Sequence, residues 1–301
     1  LKKIFKEKKI DGYFIPKNDE FFGEYILEKK DRLKYISNFS GSYGFALILN
    51  KKNYLFVDGR YTLQAKKQSE NFFTIKTIPK NLPEQILKNK KLKIGFDPKL
   101  FTKNTLHLFF GKTSCQLIPL NQNLIDNIWS RKSNYKTNKF YTLPINSIGQ
   151  TYKQKINNIV SEIKKNKADF QFITSSENNA WLLNIRGRDS NYTPIPHSYI
   201  LIDQFKNLQF FCDLKKISPS FKKKFNKISF LDIRQVGLFL SKLTKSRVAI
   251  DNSTCSMYFE NIISKKNTIV NRHDPINYLK SIKSKIEIEN IKKAHIYDGA
   301  A

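Results

Sequence analysis

The sequence predicts an α/β protein of two like domains, each a mixed sheet flanked by helices. Three observations carry that expectation. Short apolar strands alternate with segments of helical period, hairpins occur in both halves, and the order of elements repeats. At roughly 150 residues per domain, a chain of 301 residues is also the length of two.

In the first half a Lys-rich amphipathic helix leads into a strand over 12–15 and a polar-apolar stretch over 35–41. A strand pair follows over 46–49 and 54–57, joined by 50–53 and closed by Asp58. In the second half a helix over 152–164 leads into a strand over 170–173 and a stretch over 182–187. The strand pair here runs over 199–202 and 208–212, joined by 203–207 and closed by Asp213. The repeat continues, because K-I-G-F-D ending at Asp97 matches R-V-A-I-D ending at Asp251, an offset of 154. The segment 125–129 likewise parallels 276–280. Such agreement reads as a tandem duplication. The polar stretch 131–138 has no periodicity and is the expected linker, with the boundary near 135. The domains are therefore expected over 1–135 and 136–284. Residues 285–301 begin a further helix that carries Ile288, Ile291 and His295 on one face. A helix that has only begun, and a chain that opens without Met, point to a piece of a longer protein.

Composition narrows the function classes. Apolar residues make up 40% and charged residues 26%, outside the range of intrinsic disorder, and 11 Gly with 10 Pro exclude collagen-like or Pro-rich architectures. Cys115, Cys212 and Cys255 are odd in number and form no C-x-x-C, so no disulfide framework or zinc ribbon is expected, and a reducing cytoplasm fits. No apolar run has the length of a membrane span, and the basic opening is not followed by the apolar stretch of a signal peptide. The net charge of +29 invites a polyanion-binding reading. Only eight of the 54 cations are Arg, however, and the Lys are spread along the chain beside abundant Asn, Ile, Phe and Tyr. Nucleic-acid readers favour Arg and cluster their charge, so compositional drift explains the excess better.

The catalytic inventory is sparse. His107, His197, His273 and His295 form no metal-binding pair, and no nucleophile elbow, phosphate loop or dinucleotide fingerprint occurs. Cys115 has no adjacent His. Two loops stand out. D-G-R-Y at 58–61 places Arg60 between a strand and a helix, with Asp58 as a cap and Tyr61 as a packing residue in the simplest reading. Arg186, Gly187, Arg188 and Asp189 lead into a Pro-stiffened run over 192–196, where an Arg–Asp pair would hold the turn.

The blocks D-G-Y-F-I-P at 11–16, I-S-N-F-S-G-S-Y-G at 36–44 and D-G-R-Y-T-L-Q-A at 58–65 resemble the first domain of the Xaa-Pro aminopeptidase (aminopeptidase P) family. So do I-D-N-I-W at 125–129 and A-W-L-L-N-I-R-G-R-D at 180–189 with Pro194, Ser198 and Tyr199, which are similar to its second domain. Lys283 and the segment 287–298 resemble the helix leading into its third. Arg188 stands where a small residue is usual, and Pro196-His197 replaces an apolar pair.

The resemblance implies two creatinase-like N-terminal domains. In the family they precede a pita-bread domain that binds two Mn or Zn ions through two Asp, a His and two Glu. None of those five positions falls in this chain, so no catalytic residue, metal ligand or bound cofactor is expected within it. Its expected task is to shape the substrate cleft and the oligomer. Arg60, Arg186, Arg188 and Asp189 are the cleft candidates. The implied partners are a peptide with proline in second position and a second copy in a cytoplasmic homodimer, with neither membrane nor nucleic acid. A free-standing binding module without a peptidase domain is the alternative, and a basic polyanion binder the third reading.

Overall fold

The computed structural model describes residues 1–131 and 137–301. The chain divides into two compact units, Leu1–Asn134 with Ser256–Tyr258, and Tyr135–Cys255 with Phe259–Ala301. The expected boundary near 135 and most of the expected linker fall on residues 132–136, outside the described residues.

The first unit holds strands β1 (Gly12–Pro16), β2 (Gly44–Leu49), β3 (Asn53–Asp58), β4 (Thr74–Ile78), β5 (Lys93–Phe96) and β6 (Gln116–Pro119). Their spatial order is β4-β3-β2-β1-β5-β6. The β1–β2 and β2–β3 pairs are antiparallel and the β3–β4, β1–β5 and β5–β6 pairs parallel. Helices α1 (Lys2–Lys8), α2 (Arg32–Ser37), α3 (Thr62–Ser69), α4 (Pro83–Leu87), α5 (Lys103–Phe110) and α6 (Leu124–Ile128) cover the sheet.

Successive side chains of a strand point to opposite faces, so the sheet feeds two cores. Tyr13, Ile15, Ala46 and Ile48 pack with Phe5 and Leu33 on one side, while Phe14, Phe45, Leu47 and Phe56 pack with Phe101 and Phe109 on the other. Because both faces are covered, β2 is buried along its whole length, which is why it reads as an uninterrupted apolar run. Gly12 is required where β1 passes β2: a Cβ there would lie 2.6 Å from Leu49 Cδ2 and 2.8 Å from the Ile48 carbonyl oxygen.

The second unit repeats this plan. Strands β8 (Phe170–Ile173), β10 (Tyr199–Asp203), β11 (Leu208–Cys212), β12 (Ile228–Asp232), β13 (Arg247–Ile250) and β14 (Thr268–Asn271) order as β12-β11-β10-β8-β13-β14. The β8–β10 and β10–β11 pairs are antiparallel; the β11–β12, β8–β13 and β13–β14 pairs are parallel. Each pairing thus has its counterpart in the first unit. A short ribbon of β7 (Tyr141–Thr142) and β9 (Ile185–Arg186) is added.

Helix α7 (Tyr152–Lys165) starts at a Thr151–Gln154 capping box and buries Ile156, Ile159, Val160 and Ile163, a 3.6-residue stripe. Helix α8 (Ser176–Leu183) is capped by Ser175 and stops at Asn184, which takes the left-handed conformation at φ 55°. Helices α9 (Pro219–Lys224), α10 (Val236–Lys242), α11 (Met257–Ser264) and α12 (Pro275–Ser281) complete the layers.

The last helix, α13 (Lys285–Ala300), is capped by a Ser284–Glu287 box and buries none of its residues. Ile286, Ile288, Ile291, Ile296 and Tyr297 are all exposed, between 38% and 77%. Ile288, Ile291 and His295 fall on one face, as the sequence led us to expect, and further apolar residues lie elsewhere on the helix. At about 100° per residue, Ile288 and Ile291 share one side but Ile286 and Tyr297 lie on the other. The Asn290 side chain, 3.2 Å from the Asn146 carbonyl oxygen, ties the helix to its own unit. No helix among the described residues is long and apolar enough to cross a membrane.

Candidate functional site

Strand β3 delivers the chain to Asp58, and a single 3-10 turn, Gly59–Tyr61, leads into α3. Asp58 Oδ1 accepts from Arg60 N at 2.9 Å and from Arg60 Nε at 3.0 Å, so the carboxylate caps the turn and holds the guanidinium together. That hydrogen bond also keeps the Asp58 carboxyl below its ordinary range and raises Arg60. Arg60 still leaves 73% of its side chain exposed. Tyr61 packs edge-on against Phe39 and meets Ser42 Oγ at 2.7 Å. A cation in the first turn opposes the positive end of the helix dipole, and Asp58 supplies the compensating acid.

The arrangement recurs at the end of β12. Asp232 Oδ1 accepts from Arg234 N at 2.9 Å and Nε at 2.8 Å, and this holds the Asp232 carboxyl down at about 2. D-x-R at a strand end is therefore a local turn device in this chain, and what distinguishes Arg60 has to come from its surroundings. Gly59 is not demanded by the backbone: its φ is not positive and a Cβ would find only Thr77 Cγ2 at 3.9 Å.

In the second unit β9 brings Arg186, Arg188 and Asp189 into one loop. Arg186 is half-buried, with Nη1 donating to the carbonyls of Ala180 at 3.2 Å and Ile185 at 3.0 Å, and burial lowers its pKa. Gly187 is indispensable here, because a Cβ would stand 2.8 Å from Pro196 Cα and 2.9 Å from the Ile195 carbonyl oxygen. Asp189 is buried: Oδ2 accepts from the His197 amide at 2.8 Å, and Oδ1 pairs with the Lys216 ammonium. The Arg–Asp pair read from the sequence is thus replaced by a Lys–Asp pair across 27 positions. Arg188 is exposed. Asp189 and Arg186 spend their polar atoms on the fold, whereas Arg188 and, in the other unit, Arg60 present theirs outward.

Two ionic centres escaped the sequence reading. Arg32, 4% exposed, forks onto Asp126 through Nε at 2.8 Å and Nη2 at 2.9 Å, and Nη2 also reaches Glu20 at 2.7 Å. Lys30 adds a second cation on Glu20 at 2.7 Å. Burial by itself would raise Glu20, but Lys30 and Arg32 hold it below the ordinary carboxylate range. The scarcity of Arg in a Lys-dominated chain is the signal that could have marked this residue. The second centre is Lys155, buried on α7, whose ammonium donates to the Trp181 carbonyl at 3.0 Å and to Asn184 Oδ1 at 2.7 Å, closing the end of α8.

Among the described residues no group of three His, Cys, Asp or Glu converges as a metal ion would require.

Comparison with known proteins agrees with the duplicated plan. Residues 1–128 and residues 131–287 each match a family model described as Creatinase/Prolidase N-terminal domain. The Xaa-Pro aminopeptidase ApepP of Drosophila melanogaster is 29% identical over 313 residues, covering 97% of this chain and 50% of that protein. Xaa-Pro aminopeptidase 1 of Dictyostelium discoideum is 30% identical over 326 residues, covering all of this chain and 51% of that protein. The chain spans about half the length of the curated relatives it matches. Among solved structures, an X-prolyl aminopeptidase from Caenorhabditis elegans, described as a cytosolic enzyme with a di-nuclear active site, has the same fold. It superposes with a TM-score of 0.88 at 24% identity over 97% of this chain and 50% of its own. With two matched domains in succession, each built on the same six-stranded mixed sheet, the chain belongs to the creatinase/prolidase N-terminal domain family.

Proposed function

We propose that these two domains are the N-terminal, non-catalytic part of a metal-dependent Xaa-Pro aminopeptidase, which removes an N-terminal residue preceding proline. The observation that supports this most is alignment of essentially the whole chain with only half of relatives that bear that name. The metal, two ions of Mn or Zn, would be held outside these residues, so the domains serve to shape the substrate cleft and the oligomer. Within them Arg60 and Arg188 are the candidates to meet substrate, because both are exposed and neither guanidinium is consumed by the core. Arg60 would offer a pre-oriented fork to the carboxylate of a peptide. A cytosolic homodimer is the setting proposed for the complete enzyme.

The test compares the 301-residue chain with a longer product of the same gene. The longer product should release the first residue of an Xaa-Pro peptide in a metal-dependent manner, and the 301 residues should neither do so nor take up Mn²⁺ stoichiometrically. A longer product that binds metal yet ignores peptides with proline in second position would overturn the proposal.

A further inference from the structure

Two cavities of the second unit flank Tyr152 at the start of α7. The first, of about 310 Å³, is floored by Leu143, Ile148, Leu183 and Phe225. The second, of about 280 Å³, is floored by Ile156, Leu208 and Ile228. Tyr152 and Lys153 line both, so the two apolar hollows are neighbours.

Their polar lining is one-sided. Lys153 and Lys224 stand at the first cavity, and Lys153, Lys206 and Lys227 at the second, while no Asp or Glu lines either. All four lysines are exposed. None is paired with a carboxylate among the described residues, and the hydrogen bond found is from Lys224 Nζ to Thr142 Oγ1 at 2.7 Å. Lysine scattered through a sequence is a solvated surface; four unneutralised ammonium groups gathered around apolar hollows form a field complementary to negative charge.

We propose that this double cavity binds an acidic peptide segment, which seats one apolar side chain in each hollow and lays carboxylates on Lys153, Lys206, Lys224 and Lys227. The first cavity lies at the small end of the range for ligand sites, roughly 300–1,000 Å³, and the second just below it, so each matches a large side chain better than a whole cofactor. A single-headed amphiphile such as a fatty acid carries one charge and would leave the other lysines unneutralised, whereas a peptide carries several carboxylates at residue spacing. The site shares no residue with Arg60, Arg186, Arg188 or Asp189.

Fluorescence polarisation of the whole chain with a short labelled peptide, two leucines set among glutamates, tests the assignment. Binding should saturate, weaken steeply with salt, and fall about tenfold or more in a Lys153→Glu, Lys227→Glu double variant. The same peptide with serine in place of leucine should not bind, and sodium laurate should not displace the leucine form. Equal binding of the serine peptide, displacement by laurate, or unchanged affinity in the double variant would each overturn the proposal. Both lysines are exposed, so circular dichroism should report native folding. Ile145→Ser, at an exposed residue lining the first cavity, gives an independent readout: it should weaken binding of the leucine peptide while leaving all four lysines in place, and unchanged affinity would overturn the proposal.

Discussion

Asp97 and Asp251 hold the same position in the two sheets and perform the same task. Asp97 follows β5, accepts from the Lys99 amide through Oδ1 at 3.0 Å, and accepts from Asn123 Nδ2 through Oδ2 at 2.9 Å. Asp251 follows β13, accepts from the Ser253 amide through Oδ1 at 2.9 Å, and accepts from the Asp274 amide through Oδ2 at 2.8 Å. Asn123 and Asp274 in turn cap α6 and α12. The correspondence extends to Asp11 and Asp169, which accept from the amides of Lys93 and Arg247. Each aspartate joins the end of one element to the start of another, so both halves use the same residue type for the same junction.

Removing either hub should therefore loosen its own unit. Asp97→Ala leaves the Lys99 amide and the Asn123 side chain without their buried acceptor, a loss of about 1–3 kcal/mol. Urea denaturation should show the same order of loss for Asp251→Ala.

A paired glycine experiment separates backbone need from tolerance. Gly187→Ala should cost more than about 2 kcal/mol, since its Cβ would press into Pro196 and Ile195 backbone atoms, while Gly59→Ala should stay within about 0.5 kcal/mol. Thermal melts of the two variants check this.

The strands were legible because apolar runs bounded by polar turns are enforced by burial on both faces, and the 154-residue offset showed the duplication before any pairing was known. The partners of the polar residues were not legible. Asp189 could be seen beside Arg188, but the choice of Lys216 depends on how the chain returns from β11, and Arg32 meets Asp126 across 94 positions. Local devices such as Asp58–Arg60 can be read from spacing, whereas long-range ion pairs are consequences of topology.

The Arg32 network should make the first unit acid-sensitive. Glu20 is held below its unfolded value, so its contribution to stability is present above that value and is lost as pH falls through it toward the folded one. Arg32→Met should cost about 1–3 kcal/mol at neutral pH, because Glu20 and Asp126 lose the buried fork while keeping Lys30 and Arg131. The penalty should shrink in acid as the Glu20 carboxyl becomes protonated, and urea titrations at neutral and acid pH would show it.

Lys155 should act in the opposite sense. Burial, with a further push from Arg186, lowers its pKa to about 8, although Glu287 draws it upward. Between that value and the ordinary lysine pKa, the folded state has released a proton that the unfolded chain still holds, so stability rises with pH across this window. Lys155→Met removes the titrating group and should flatten that rise. It also strips the Trp181 carbonyl and Asn184 Oδ1 of their donor, so the variant should be less stable at neutral pH by about 1–3 kcal/mol. Urea midpoints of the native chain and the variant from neutral pH to pH ~10 would test both statements. Parallel curves would mean that Lys155 does not titrate within the fold.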